Sequence, residues 1–269
     1  MRILLTNDDG LESPGLWHAA RAMKSLGDII ISAPDREQSG NSSAISLNRP
    51  LRVERARSKI PNVAAYAVQG TPADCVIIAL ERLIDQKVDL VVSGINPGAN
   101  FGEDILISGT VGSAMQGHLR GIPSIAISVA ALRDVKYRAA ASILHDIVSN
   151  ISLWSNIDTF ENNGSLEEMN KRPVLLNINL PNLMKSRLKG PIVTSMGRRA
   201  YGDSVTDGDA GRRAWYWIGR ERLDWKEDKG SDVWAVRNRY VSITPLHTNL
   251  TAQNAILPLN GLIGTLKGT

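Results

Sequence analysis

Asp8 and Asp9 stand side by side in the turn Asn7-Asp8-Asp9-Gly10, directly after the apolar run Ile3-Leu4-Leu5. Adjacent carboxylates repel one another unless a cation lies near. Two further polar loops also follow apolar runs. One holds Asp35, Glu37, Gln38, Ser39 and Asn41, and the other Asn96 and Asn100. Their donors are carboxylate, hydroxyl and amide oxygens, with no His or Cys among them. Oxygen-only ligation favours Mg²⁺, Mn²⁺ or Ca²⁺ over Zn²⁺. A single Asp in such a turn reads equally well as a helix cap. Two of them at a strand end, ahead of a glycine, point to a hard divalent metal.

Ser108-Gly109-Thr110 forms a fourth element, at the start of an expected helix. A helix N-terminus offers free N–H groups and a positive dipole end, which suits a phosphate. A plain Ser or Thr cap explains the same three residues. Of the four histidines, His18, His118 and His145 fall on helices, and His247 follows a strand. All four read first as packing or surface residues. Trp215 and Trp217 share one side of an extended segment around Tyr216. That side suits a subunit contact, or the stacking of a base.

These residues need elements to position them. Residues 2–6, 28–33, 64–68, 88–95, 122–129 and 173–180 read as strands, most of them apolar throughout. Helical spacing of apolar residues appears over 16–26, about 72–84, 110–119 and 137–153, with Thr71 as N-cap and Pro72 in the first turn of the second helix. Residues 46–56 alternate like a short ribbon, and 155–171 look polar and loop-like. Such alternation predicts an α/β fold, a Rossmann-like, mostly parallel sheet with helices on both faces. In such sheets ligands bind at the carboxyl ends of the strands, where the acidic turn and both polar loops begin. After residue 189 short strands, Gly-rich turns and aromatics suggest extended hairpins, with one more strand over 241–245.

The bulk composition sets limits. The chain has 269 residues, 43% hydrophobic and 22% charged, as expected of an ordinary globular protein. Its formal charge of +4 suits an anionic small substrate, but no run of five or six basic residues marks a surface for long nucleic acid. The densest basic stretches, 52–59 and 212–222, are interrupted and read as solvated faces. The single cysteine, Cys75, lies in an apolar run and reads as packing; the lack of a disulfide partner favours a reducing compartment. Neither a signal peptide nor a membrane span is visible. A cytoplasmic enzyme is the expectation.

Several long segments carry a resemblance. They are ILLTNDDGLESPGL (3–16), APDREQSGNSSAIS (33–46), GTPADCV (70–76), VSGINPGANFGEDILISGTVGSAMQG (92–117) and SITPL (242–246). In this order and spacing the sequence resembles the SurE family, the survival-protein nucleotidases. The resemblance implies a metal-dependent phosphohydrolase acting on nucleoside monophosphates, a 5′-nucleotidase with 3′-nucleotidase and short-polyphosphate activity as further options. It implies one divalent cation per subunit, Mg²⁺ or Mn²⁺, on Asp8, Asp9, Ser39 and Asn96. Asp8 and Asp9 would be the catalytic pair, one of them serving as base or as nucleophile. Ser108, Gly109 and Thr110, with Asn100, would bind phosphate or substrate. A single domain over 1–269 is expected, with a core of about 1–195 and 235–250, a protruding hairpin region of about 196–234 and a tail over 251–269. Exchange of C-terminal elements would make a homodimer or homotetramer. The chain departs from the family pattern at Ile107, where Tyr is common, and at Gly112, Ser113 and Gln116, where Ala-Ala and Glu are frequent.

Overall fold

A strand with no polar face needs cover on both sides, and helices supply it here. The computed structural model describes residues 1–150, 173–198, 201–208, 215–222 and 228–266. In chain order the elements are β1 (Arg2–Thr6), α1 (Pro14–Met23), β2 (Asp28–Pro34), β3 (Val53–Ala56), β4 (Ala64–Val68), α2 (Pro72–Ile78), β5 (Leu90–Pro97), α3 (Gly109–Leu119), β6 (Ser124–Val129), α4 (Tyr137–Ser149), β7 (Leu175–Leu180), β8 (Pro191–Val193), β9 (Tyr201–Gly208), β10 (Trp215–Arg222), α5 (Asp232–Arg237), β11 (Val241–Leu246) and α6 (Gln253–Leu266).

Nine strands form one sheet in the order β3-β4-β2-β1-β5-β6-β7-β11-β8. From β4 to β7 all neighbours run parallel. Antiparallel pairs occur only toward the edges, at β3 with β4 and at β11 with β7. The strand order reverses at β1: the chain first moves outward to β2 and β4, then returns to β5 on the other side. That switch point is where a crevice opens at the carboxyl edge of such a sheet.

Alternation along β1 sends Ile3 and Leu5 to one face and Leu4 to the other. On the first face they join Leu16, Trp17 and Met23 of α1 and Leu144 and Ile147 of α4. On the other face Leu4 packs with Val76 of α2, while Val111 and Ala114 of α3 cover Ala126 and Leu175. The expected doubly covered parallel sheet is therefore what the chain forms.

The local signals at two helix starts also operate. Thr71 accepts from the Asp74 N–H, and Asp74 accepts from the Thr71 N–H, so the two residues close a reciprocal cap. Ser108 accepts from the Val111 N–H and caps α3.

Other expectations need correction. The ribbon expected over 46–56 shrinks to β3, since Pro50 has no N–H to donate to a ladder. Trp234 lies not in a hairpin but on α5, where Ser231 caps the helix and Val233, Ala235 and Val236 are buried. Cap and apolar spacing outweigh the extended propensity of an aromatic there. The tail carries α6. The expected loop over 155–171 lies outside the described residues, as do positions 209–214 and 223–227 of the hairpin region. Among the described residues β9 and β10 pair only with each other, antiparallel, from Trp215 opposite Gly208 to Arg222 opposite Tyr201. Among the described residues no helix is long and apolar enough to cross a membrane.

Candidate active site

The backbone leaves β1 at Thr6 and turns at once. The Asn7 side-chain amide donates to the Gly10 carbonyl at 2.9 Å and closes the turn that presents Asp8 and Asp9. Asp8 is buried. Burial raises its pKa, while the Thr110 hydroxyl, donating to Oδ1 at 2.7 Å, works against that rise. Asp9 is pushed up to about 8, first by burial, then by the charges of Asp8 and Glu37. Its Oδ2 is buried without a hydrogen-bond partner, and so is Asn7 Oδ1 behind it. A buried oxygen with neither solvent nor donor is costly, and the charge of a second buried carboxylate beside it adds repulsion. A hard cation would relieve both costs, and this donor chemistry fits one. Among the described residues no three His, Cys, Asp or Glu gather as a ready-made cluster. The two aspartates would therefore need neutral oxygens beside them.

Asn96 and Ser39 are the expected sources. Thr6 pairs with Ser93 between β1 and β5. β5 then runs on through Asn96, at the same carboxyl edge where β1 ends in the acidic turn. The Asn96 amide donates to the Gly98 carbonyl at 2.7 Å, which leaves its oxygen for another partner. The loop after β2 is tied to the first turn by the Gln38 N–H, which donates to the Asp8 carbonyl at 2.7 Å. Ser39 is brought to the rim, exposed, with its hydroxyl donating to Glu37 Oε1 at 2.9 Å. Glu37, one of the donors of this loop but assigned no role by the sequence, acts by its charge on both aspartates. Its position two residues before Ser39 was the available signal.

The N-terminus of α3 points at Asp8. A Cβ at Gly109 would stand 2.8 Å from Asp8 Cβ and 2.9 Å from Oδ2, so only glycine allows this approach. The Thr110 hydroxyl is engaged by Asp8, and the Ser108 hydroxyl accepts from Val111 as a cap. Both side chains expected at a phosphate thus have structural partners in the same crevice.

Asn100 turns inward. Its side-chain amide donates to Ser128 Oγ at 2.9 Å. Its N–H donates to Asn179 Oδ1, and its carbonyl accepts from both Asn177 and Asn179. Two asparagines at a spacing of two on the otherwise apolar β7 were the sequence signal for this clamp.

The departures from the family pattern serve packing. Ser113 donates to Ser93 Oγ at 2.7 Å, Gln116 Oε1 accepts from Arg120, and Ile107 offers its carbonyl to the Ser42 N–H. A Cβ at Gly112 would meet the Ser42 carbonyl oxygen at 2.2 Å. His18 stacks on Tyr137, His145 lies 3.2 Å from Ser25 Oγ, His118 is within 2.8 Å of the Pro173 carbonyl, and His247 is exposed. Cys75 is fully buried, with its thiol pushed well up by burial, as expected of a packing residue.

Thr110→Val tests the hold on Asp8. It keeps the volume and removes the hydroxyl. If Asp8 ligates a cation, steady-state kinetics should show turnover down roughly ten- to hundredfold, the scale for losing the outer partner of a metal ligand. Unchanged kcat/KM would mean that the bond does not position Asp8 for function.

Fold and site together define a class: a doubly wound α/β protein with adjacent carboxylates at its switch point, set against a helix N-terminus. The family model described as Survival protein SurE matches residues 3–203, and the chain belongs to that family. It is 42% identical over 255 residues to a protein named 5′-nucleotidase SurE from Dehalococcoides mccartyi, covering 94% of this chain and 91% of the relative. It is 40% identical over 250 residues to the protein of that name from Aquifex aeolicus, covering 92% of each. A crystal structure of the SurE protein from Aquifex aeolicus superposes with a TM-score of 0.78 at 38% identity, covering 97% of this chain and 99% of that one.

Proposed function

We propose that this chain is a 5′-nucleotidase, an enzyme that hydrolyses the phosphate monoester of nucleoside monophosphates. In this reading Asp8, Asp9, Ser39 and Asn96 hold one divalent cation per subunit, Mg²⁺ or Mn²⁺. The observation that carries it is the pair of carboxylates at the end of β1, with Asp9 Oδ2 buried and unpartnered. Such a cation, when bound, would neutralise charge on the ester and make water a better nucleophile.

The chain's own groups would do the rest. Asp8 is held in one orientation by Thr110, so its remaining oxygen has a fixed direction. The α3 N-terminus brings its positive end to the crevice and would stabilise negative charge on the non-bridging oxygens, and the Thr110 backbone N–H already acts on Asp8. Asp9, with a pKa of about 8 before any cation arrives, is mostly protonated near neutral pH; a cation would expel that proton, and Asp8 or Asp9 would then be the carboxylate to accept one from water. Positioning and charge stabilisation are most of what phosphoryl transfer needs.

3′-Monoesters and short polyphosphates are further substrates to be tested in this reading, and the cytoplasm is its compartment. A homodimer or homotetramer joined through C-terminal elements is also part of it. Val205, Trp215, Tyr216, Trp217 and Ile218 of the hairpin and Leu257 and Leu259 of α6 are exposed, which suits burial by a second copy.

Phosphate release from a panel of 5′- and 3′-monophosphates and tripolyphosphate is the test. Activity should appear with Mg²⁺ or Mn²⁺ and fall at least a hundredfold in EDTA, a loss of several kcal/mol in transition-state stabilisation. Full activity in EDTA would remove the cation from the reaction.

A further inference from the structure

The loop that leads from Asn96 to Ser108 has a second anchorage, far from the acidic turn. Asp232 opens α5 and is fully buried. Its Oδ2 accepts from the Gly102 N–H at 2.7 Å, and its Oδ1 accepts from the Gly197 N–H at 2.9 Å and the Val233 N–H at 2.8 Å. Gly102 has φ +49, and a Cβ there would stand 2.4 Å from the carbonyl oxygens of Gly197 and Arg198. Loop and chain therefore meet backbone to backbone. Ala99 and Phe101 of the same loop pack on Val233 and Val236 of α5.

The backbone of Asp232 also reaches the base of the hairpin. Ser195 pairs with Ser231, the Ser195 N–H donates to the Gly230 carbonyl at 3.1 Å, and the Asp232 N–H donates to the Ser195 carbonyl at 3.0 Å. The segment before β9 and the segment after β10 are joined there, and Asp232 fastens that junction to Gly102.

We propose that Asp232 is a positioning residue: by holding Gly102 to Gly197 it fixes the path of loop 98–107, and with it the placement of Asn96 and of the α3 N-terminus against Asp8. This rests on the reading of Asn96 and Asp8 as cation ligands. The physical reason is that a loop of this length has many paths between its ends. The Asn100 clamp fixes one point on it, and Asp232 fixes the next. A carboxylate suits the task because its two oxygens accept from N–H groups of two separate segments, which no neutral side chain of that size does.

Asp232→Asn keeps the shape and exchanges one acceptor oxygen for an N–H₂ donor, so one of the two segments loses its partner. The expected result is a drop in kcat of about tenfold or more, with Mn²⁺ affinity, measured by calorimetry on protein and metal alone, weakened by a similar factor, the range found when the support of a metal ligand is lost. Nucleotide KM should change little. Ser231→Ala is the matched control. It removes the cap bond to the Trp234 N–H of the same helix and leaves the loop untouched. It should lower Tm yet keep kcat and Mn²⁺ affinity within about twofold. If Asp232→Asn lowers Tm but leaves both kcat and Mn²⁺ affinity normal, the carboxylate only holds the fold and the inference is overturned. Should that variant fail to fold, Gly102→Ala decides from the loop side. Its Cβ must push the loop off Gly197, so the same paired losses support the inference and their absence overturns it. Asp9→Asn, measured alongside, separates the two levels. Normal turnover and Mn²⁺ affinity there would sink the site reading itself, whereas an inactive Asp9→Asn beside a normal Asp232→Asn sinks only the role of Asp232.

Discussion

Asp9→Asn is expected to lower kcat by roughly a thousandfold and, at the same time, to raise the Tm of the metal-free protein at pH 8. The loss follows from removing charge where a cation and a proton would be handled; several kcal/mol of transition-state stabilisation correspond to that factor. The gain follows from the same burial. The folded-state pKa of Asp9 is raised from 3.8 to about 8 by burial, by Asp8 and by Glu37. Between those two values the folded protein holds a proton that the unfolded chain releases. The contribution of Asp9 to stability is therefore greatest below 3.8 and is lost progressively as pH rises to about 8. A neutral amide at position 9 has no such loss. Metal-free melting curves at pH 5 and pH 8 check this: the variant's advantage should be clear at pH 8 and largely gone at pH 5. A variant that is less stable than the parent at pH 8, or that keeps normal turnover, would mean that Asp9 is not a strained ligand.

Gly109→Ala should have the second largest effect, a loss of turnover on the order of a hundredfold, as a misplacement of about 1 Å in a reacting group can bring. The added methyl would stand 2.8 Å from Asp8 Cβ, close to the backbone and not at a free side-chain end. Asp8 or α3 must move. If Asp8 moves, the Thr110 bond to Oδ1 breaks with it. Ala is otherwise the better helix former at this position, so global stability should change little. Steady-state kinetics beside circular-dichroism melting separate the two effects. A large fall in Tm with little change in kcat would show that the contact matters to the fold and not to the site.

The strands that build the switch point were legible because Ile3 to Leu5 and Leu90 to Val92 are apolar without interruption, which only a doubly covered sheet can bury. Asp8, Asp9 and Asn96 were legible for a related reason: donor oxygens directly after such runs are carried to one edge of the sheet. Thr110 and Asn100 were read as substrate contacts, and their partners turned out to be Asp8, Ser128, Asn177 and Asn179. A polar residue near a crevice looks the same in sequence whether it faces the ligand or supports a residue that does. The helix at Trp234 was missed because one aromatic amid turns suggests a strand until its cap and its buried neighbours are seen.

By itself, then, the sequence determined which residue types can do chemistry and which end of the sheet presents them, because apolar runs and adjacent carboxylates are local facts of the chain. The tertiary structure alone decided how those residues are held. The Thr110 hydroxyl meets Asp8 across 102 positions and the Asp232 carboxylate meets the Gly102 N–H across 130. Spacing along the chain does not encode such pairings. They depend on where the crossover helices and α5 come to rest against the sheet, and that is settled only when the two faces pack.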